Sequence, residues 1–114
     1  MKDDAVYLKH IRESIRRIEE DTRDGREKFL QTHTLQDAVL RNLQTLSEST
    51  QRLSDALKAK CPEIEWNRIA AFRNILVHGY LGIDMERIWE IIQRDVPPLE
   101  RGTITLLQWI HKNP

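Results

Sequence analysis

Leu8, Ile11, Ile15 and Ile18 fall at steps of three, four and three residues, and Leu35, Val39, Leu43, Leu46, Thr50, Leu53 and Leu57 keep the same rhythm further along the chain. Such steps return side chains to one face of a helix with 3.6 residues per turn, so each stretch carries an apolar stripe that must be buried against another element. No stretch alternates polar and apolar residues for long enough to make a strand, and even Thr103-Ile104-Thr105 lies within helical spacing. The pattern restricts the chain to an all-α fold.

Local signals set the expected boundaries. Asp3 or Asp4 is available to cap a first helix over roughly residues 4 to 22, which Asp24-Gly25 ends. A short amphipathic piece around Phe29 and Leu30 leads to Thr34, which with Asp37 opens the longest helix. That helix continues to about Lys60, a rod of roughly 37 Å at 1.5 Å per residue, and Pro62 stops it. The spacing predicts a helix from about Trp66 to Val77, then one capped by Asp84 through Ile88, Trp89, Ile91 and Ile92. Pro97-Pro98 is expected to break this helix, with a last one over Leu99 to His111. Two long amphipathic helices joined by a short piece fit an antiparallel pair, with the Trp66 and Asp84 helices packed across it in an up-down bundle.

At 114 residues, with 39% hydrophobic and 32% charged residues, the chain suits one compact domain over residues 1–114, folding alone or as an oligomer. Met1-Lys2-Asp3-Asp4 lacks the apolar core of a signal peptide, and no apolar run approaches the roughly 20 residues that span a bilayer, so a cytoplasmic protein without a membrane partner is expected. The single cysteine, Cys61, excludes an intramolecular disulfide, supplies no metal cluster and is expected at the boundary of the core, a reactive thiol being the lesser alternative. Because the formal net charge is zero, no long-range field draws the chain onto nucleic acid, and any such contact must be local. One locality qualifies: Trp66 to Ile83 contains no acidic residue but includes Arg68, Arg73 and His78.

The chemistry concentrates at the end of that interval, in Arg73-Asn74-Ile75-Leu76-Val77-His78-Gly79-Tyr80. On a helix Arg73 and Tyr80, seven apart, share a face, and Asn74 and His78, four apart, share the adjacent one. Arg73 also falls on the apolar stripe marked by Trp66, Ile69, Leu76 and Val77, so its guanidinium is expected to be partly desolvated. A charge in that setting needs either a carboxylate, Glu48 being a candidate, or a substrate phosphate, which arginine's planar fork grips well. His78, with a reference pKa of about 6.5, can take or give a proton near neutral pH. Asn74 can orient that imidazole or donate to a developing oxyanion, or can simply be a helix-face amide. Tyr80 can stack on a base, bond a phosphate, serve as an exposed acceptor hydroxyl or lie as an amphipathic lid on the core, and spacing does not choose among these.

Arg-x-x-x-x-His-x-Tyr at Arg73, His78 and Tyr80 resembles the signature of the HepT-like branch of the HEPN superfamily. The resemblance extends through Gln36-Asp37-Ala38-Val39, Arg41-Asn42-Leu43, Trp66 seven residues before the arginine, and Trp89-Glu90-Ile91-Ile92 leading to Asp95-Val96-Pro97, and so covers nearly the whole chain. It implies a small helical homodimer with the Arg/His motifs of two subunits facing a shared cleft, and an RNA endonuclease that needs neither metal nor cofactor. Arg73 and His78 would be the catalytic residues and Asn74 a supporting one, with mRNA or tRNA as substrate. The same resemblance implies a toxin of a type VII-like toxin–antitoxin pair. Its partner would be a minimal, MntA-like nucleotidyltransferase that silences it by adding AMP to the motif tyrosine, here Tyr80.

One element departs from the family pattern. Where Gly-Glu-Ala commonly stands on the long helix, this chain has Ser47-Glu48-Ser49. Serine permits close helix approach, but its hydroxyl needs a partner. A reading from another class also fits, in which the chain is a non-catalytic helical partner that docks on the nucleotidyltransferase and regulates it.

Overall fold

In a computed structural model, α1 (Lys2–Asp21) lies along α3 (His33–Gln51), joined to it through the short α2 (Arg26–Gln31). The structure describes residues 2–78 and 82–114, with the side chains of Lys2, Val77 and His78 excepted. The pair is antiparallel: Asp4 meets Ser54 at one end, and Arg17 and Arg41 border the same hollow at the other. Leu8, Ile11, Ile15 and Ile18 of α1 bury fully with Val39, Leu43 and Leu46 of α3, as the three/four spacing requires. At the first turn-around Gly25 has a φ of 95°, a left-handed conformation that glycine adopts without steric cost. The described residues form helices and no strand, in keeping with the all-α expectation.

Past α3 come the one-turn α4 (Asp55–Lys58), α5 (Trp66–His78) and α6 (Met85–Lys112). α5 packs on α3, while α6 packs on α1 and α2, where Trp89 meets Phe29 at 5.6 Å between ring centroids. Asp84 caps α6 as expected, its Oδ1 accepting from the backbone N–H groups of Glu86 at 3.0 Å and Arg87 at 3.4 Å. Among the described residues no helix is long and apolar enough to cross a membrane.

Three boundaries differ from the sequence expectation. α1 already begins at Lys2, so Asp3 and Asp4 lie in its first turn, and Asp4 turns its carboxylate to Ser54. α3 begins at His33, with Thr32 in the cap position and no side-chain cap from Thr34; Gln36 instead donates to the carbonyls of Phe29 and Leu30 at the end of α2, 3.1 Å each. The rod expected to reach Lys60 stops at Gln51. The Ser54 hydroxyl accepts from the Leu57 N–H at 3.2 Å and starts α4 as a separate turn.

The largest difference is at Pro97-Pro98, where no break occurs. α6 runs through both prolines for 28 residues, roughly 42 Å at 1.5 Å per residue, nearly the 45 Å longest extent of the molecule. Each proline removes one intrahelical N–H and costs about 3 kcal/mol in a helix interior. The carbonyls left without a donor belong to Gln93 and Arg94, both exposed residues, where solvent can take the missing donor's place. Against that cost, Ile88, Ile91, Ile92 and Val96 before the prolines and Leu99 and Leu106 after them share one buried face. A break would lift half of that face from the core, at about 1.5–3 kcal/mol per side chain.

Candidate active site

α5 is fixed at its start before it reaches the residues of interest. The Trp66 indole Nε1–H donates to the carbonyls of Lys58 and Cys61, 3.1 Å each, which closes the turn after α4. Cys61 is 2% exposed, so it belongs to the core rather than to its boundary, and burial, with Glu63 nearby, pushes its thiol pKa up. Two residues further along α5, Arg68 donates from Nε to Oδ1 of Asp95 at 2.9 Å. Asp95 is buried on α6, and Arg94 approaches its other oxygen at 3.4 Å. Arg68 therefore serves as a tie between helices, and the acid-free interval presents fewer open cations than its sequence suggests.

In the middle of α5, Ala70 meets α3. Its carbonyl accepts from the buried Ser47 hydroxyl at 3.4 Å and from Gln51 Nε2 at 3.5 Å. The Ser47 hydroxyl thus finds the partner it needs within the chain. Ile69 and Phe72 are buried beside this contact.

Phe72 decides how α5 is rotated. The expected stripe of Trp66, Ile69, Leu76 and Val77 omitted it, and its burial turns the apolar face away from Arg73, which is exposed rather than desolvated. The Arg73 guanidinium borders an open hollow of about 460 Å³ together with Glu48, Gln51 and Arg52. Glu48, the expected carboxylate partner, accepts instead from Gln44 Nε2 at 3.2 Å, and Arg73 forms no ion pair among the described residues. With two guanidinium groups and one carboxylate, the hollow favours an anion.

Asn74 is exposed next to Arg73 on α5, one turn before His78. His78 is the last residue of α5; its side chain, and all of Tyr80, lie outside the described residues. Arg52, which lines the hollow beside Arg73, is not among the residues expected there, because a helix drawn through to Lys60 places it in mid-rod. The structure puts it at the C-terminal cap of α3, with φ −86° and ψ −10°, facing the same hollow as Arg73. Ser54, a good cap residue two positions on, is the sequence signal that marks this end. Among the described residues no three His, Cys, Asp or Glu side chains gather where they could hold a metal ion.

The model of the family described as ribonuclease HepT-like matches residues 11–106. The chain is 37% identical over 95 residues to a probable ribonuclease HepT of Thermococcus cleftensis, covering 82% of this chain and 86% of that one. It is 31% identical over 101 residues to a candidate RNase of Methanocaldococcus jannaschii, covering 88% of this chain and 93% of that one. A third similarity, 36% over 113 residues and 98% of this chain, is to a protein of the same archaeon named as a gamma-glutamylcyclotransferase and candidate RNase. This chain spans only 51% of that relative's length. No solved structure matches significantly. The matched span takes in the Trp66 anchor, Arg73, His78, Tyr80 and Trp89, and the chain belongs to the HepT-like ribonuclease family.

Proposed function

We propose that the chain is an RNA endonuclease whose reaction needs no metal and takes place at the C-terminal end of α5, in the cleft of a homodimer. The observation that carries this reading is the open, cationic hollow at Arg73, five residues before His78 in a chain of the HepT-like family. His78 takes the proton of a ribose 2′-hydroxyl, whose oxygen attacks the adjacent phosphorus. The bond from phosphorus to the 5′-oxygen breaks, and that oxygen is protonated by an imidazolium, leaving a cyclic phosphate and a 5′-hydroxyl. Arg73 holds the phosphoryl oxygens through its fork of donors while charge builds on them, and Asn74 supports the imidazole.

In this reading the nuclease is a cytoplasmic toxin, and its antitoxin is a minimal nucleotidyltransferase. The Tyr80 phenol oxygen attacks the α-phosphorus of ATP, pyrophosphate leaves and the phenolic proton is released. The resulting AMP brings a negative phosphate into the space where RNA must bind. The test is incubation of the purified protein with RNA in chelator. Wild type should cleave, and His78→Ala and Arg73→Ala should each lose on the order of 10²-fold or more. Cleavage that survives both substitutions overturns the assignment. Sedimentation should give twice the 13.5 kDa chain mass, and the partner with ATP should add AMP to wild type but not to Tyr80→Phe.

A further inference from the structure

Tyr7, His10, Ser14 and Arg17 fall at steps of three, four and three on α1, and Arg41, Thr45, Glu48 and Arg52 at steps of four, three and four along α3 and its C-terminal cap. Each set is a stripe along one helix face. Because the helices are antiparallel, the two stripes flank a single furrow in which three hollows follow one another. The first, about 310 Å³, lies by Arg17 and Arg41; the second, about 270 Å³, lies by Tyr7 and Arg52; the third is the hollow of Arg73. His10 and Thr45 border the first two, and Glu48 and Arg52 the last two, so the furrow is continuous up to Arg73. From Arg41 to Arg52 it extends roughly 16 Å at 1.5 Å per residue.

The furrow combines open cations with flat groups. Arg41, Arg52 and Arg73 form no ion pair among the described residues, whereas Arg17 is engaged by Glu13 at 3.2 Å. The Arg52 guanidinium stands 6.0 Å from the centroid of the Tyr7 ring. The exposed His10 ring meets Tyr7 edge-on, at 5.9 Å and 82°. Cations spaced along a groove, with rings and guanidinium planes between them, suit a single strand, whose backbone follows the charges while its bases stack. A furrow between two directly packed helices, whose axes lie about 8–10 Å apart, is too narrow for a duplex.

We infer that this furrow is a binding track for single-stranded RNA leading to the Arg73 end of α5, with Arg41 and Arg52 on backbone phosphates and His10, backed by Tyr7, beneath a base. The inference rests on the proposed ribonuclease reading for the strand's destination, and it adds where the strand lies before it is cut. It also makes the substrate an unpaired segment rather than a helix.

The test is fluorescence anisotropy of a labelled single strand of about ten nucleotides, its 2′-hydroxyls methylated to prevent cleavage, titrated with full-length protein over a range of salt. Arg41→Glu should weaken binding about tenfold or more and reduce the slope of log affinity against log salt by about 0.7. His10→Ala should weaken it about tenfold with little change of slope. Arg101→Glu, the same charge change on an exposed residue of α6, should stay within about twofold of wild type. If the furrow variants behave like Arg101→Glu, the track does not exist. If they leave RNA affinity unchanged and convert a dimer to monomers, the furrow is an interface between copies and the inference falls. Wild type that binds the strand through the furrow but cleaves no RNA defeats the nuclease reading alone; cleavage with indifferent furrow variants defeats the track alone.

Discussion

Asp4→Ala should be among the most destabilising single polar substitutions in the chain, although the residue lies in the first turn of the first helix. The Asp4 side chain is 4% exposed and serves one partner: Oδ1 accepts from the Ser54 backbone N–H at 2.8 Å and Oδ2 from the Ser54 hydroxyl at 2.7 Å. Hydrogen bonds to a charged acceptor contribute about 1.5–3 kcal/mol each. These two share both residues and are not additive, and removing a buried carboxylate also relieves its desolvation. A net loss of about 2–4 kcal/mol follows. With an unfolding entropy of about 2.1 cal/mol/K per residue, 114 residues give roughly 4 °C per kcal/mol, and so a fall in melting temperature of about 8–16 °C. Circular dichroism melts and urea titrations measure it. Asp4→Asn keeps the shape and an acceptor for the Ser54 N–H, but its amide nitrogen can only donate, so the Ser54 hydroxyl must turn from donor to acceptor, and the loss should be about 1–2 kcal/mol, smaller than for alanine. Ser54→Ala should cost about 1 kcal/mol through its cap plus part of the Asp4 link, and the double variant should cost clearly less than the sum. An Asp4→Ala protein within about 0.5 kcal/mol of wild type, or strict additivity with Ser54→Ala, would refute the idea that this pair sets the end of α3.

Two further outcomes are expected. At Gly102 an added Cβ would approach Ile64 Cδ1 closely and Cγ1 at 3.2 Å, so Gly102→Ala should lose about 1 kcal/mol net, overpacking of about 1–3 kcal/mol exceeding the roughly 1 kcal/mol of helix propensity gained. Ile64→Val removes the clashing methyl, and the double variant should return to within about 0.5 kcal/mol of wild type in urea unfolding; additive losses would disprove the contact. The carboxyl of Glu100, together with partial burial, raises the pKa of Glu19 to about 7. A carboxyl raised in the folded state binds its proton more tightly there than in the unfolded chain, so its contribution is full below about pH 4.5 and is lost as pH rises through 7. The urea midpoint of wild type relative to Glu100→Gln should therefore decline over that window; a flat or rising difference would show that the two carboxyls do not interact.

What the sequence displayed, and what it hid, follows the range of the interactions involved. The α1 stripe and the Asp84 cap depend on neighbours within a turn or two, and both appear where spacing and capping chemistry put them. The end of α3 depends on Asp4, fifty positions from Ser54, and the local signal, the cap residue Ser54 itself, is masked by an apolar rhythm that runs on through Leu53 and Leu57. At Pro97-Pro98 the local rule was sound, but burial on both sides of the prolines overrode it. The exposure of Arg73 turned on a small angle: residues at 69, 73 and 76 sit close together around the helix, and burial of Phe72 moves the centre of the stripe just far enough to free the arginine.

Arg68 and Arg73 make the same point about function. Five residues apart, they are separated by about 140° around α5, and they meet opposite environments. Arg68 reaches Asp95, whose side chain is 3% exposed, whereas the other contact to that carboxylate, from Arg94, is longer and comes from a side chain 59% exposed. Rotating α5 by even a third of a turn would take Arg68 away from Asp95 and leave a buried carboxylate with only that weaker partner, at a cost of several kcal/mol before discounting for the solvent that reaches Arg68. The Ser47–Ala70 contact and the buried Ile69 and Phe72 oppose the same rotation from the α3 side. The direction of Arg73, and of the helix end that carries His78, is thus set by Asp95, Ser47 and Phe72. None of these three belongs to the Arg-x-x-x-x-His motif, so the aim of the motif is held from outside it, by two neighbouring helices and one buried charge.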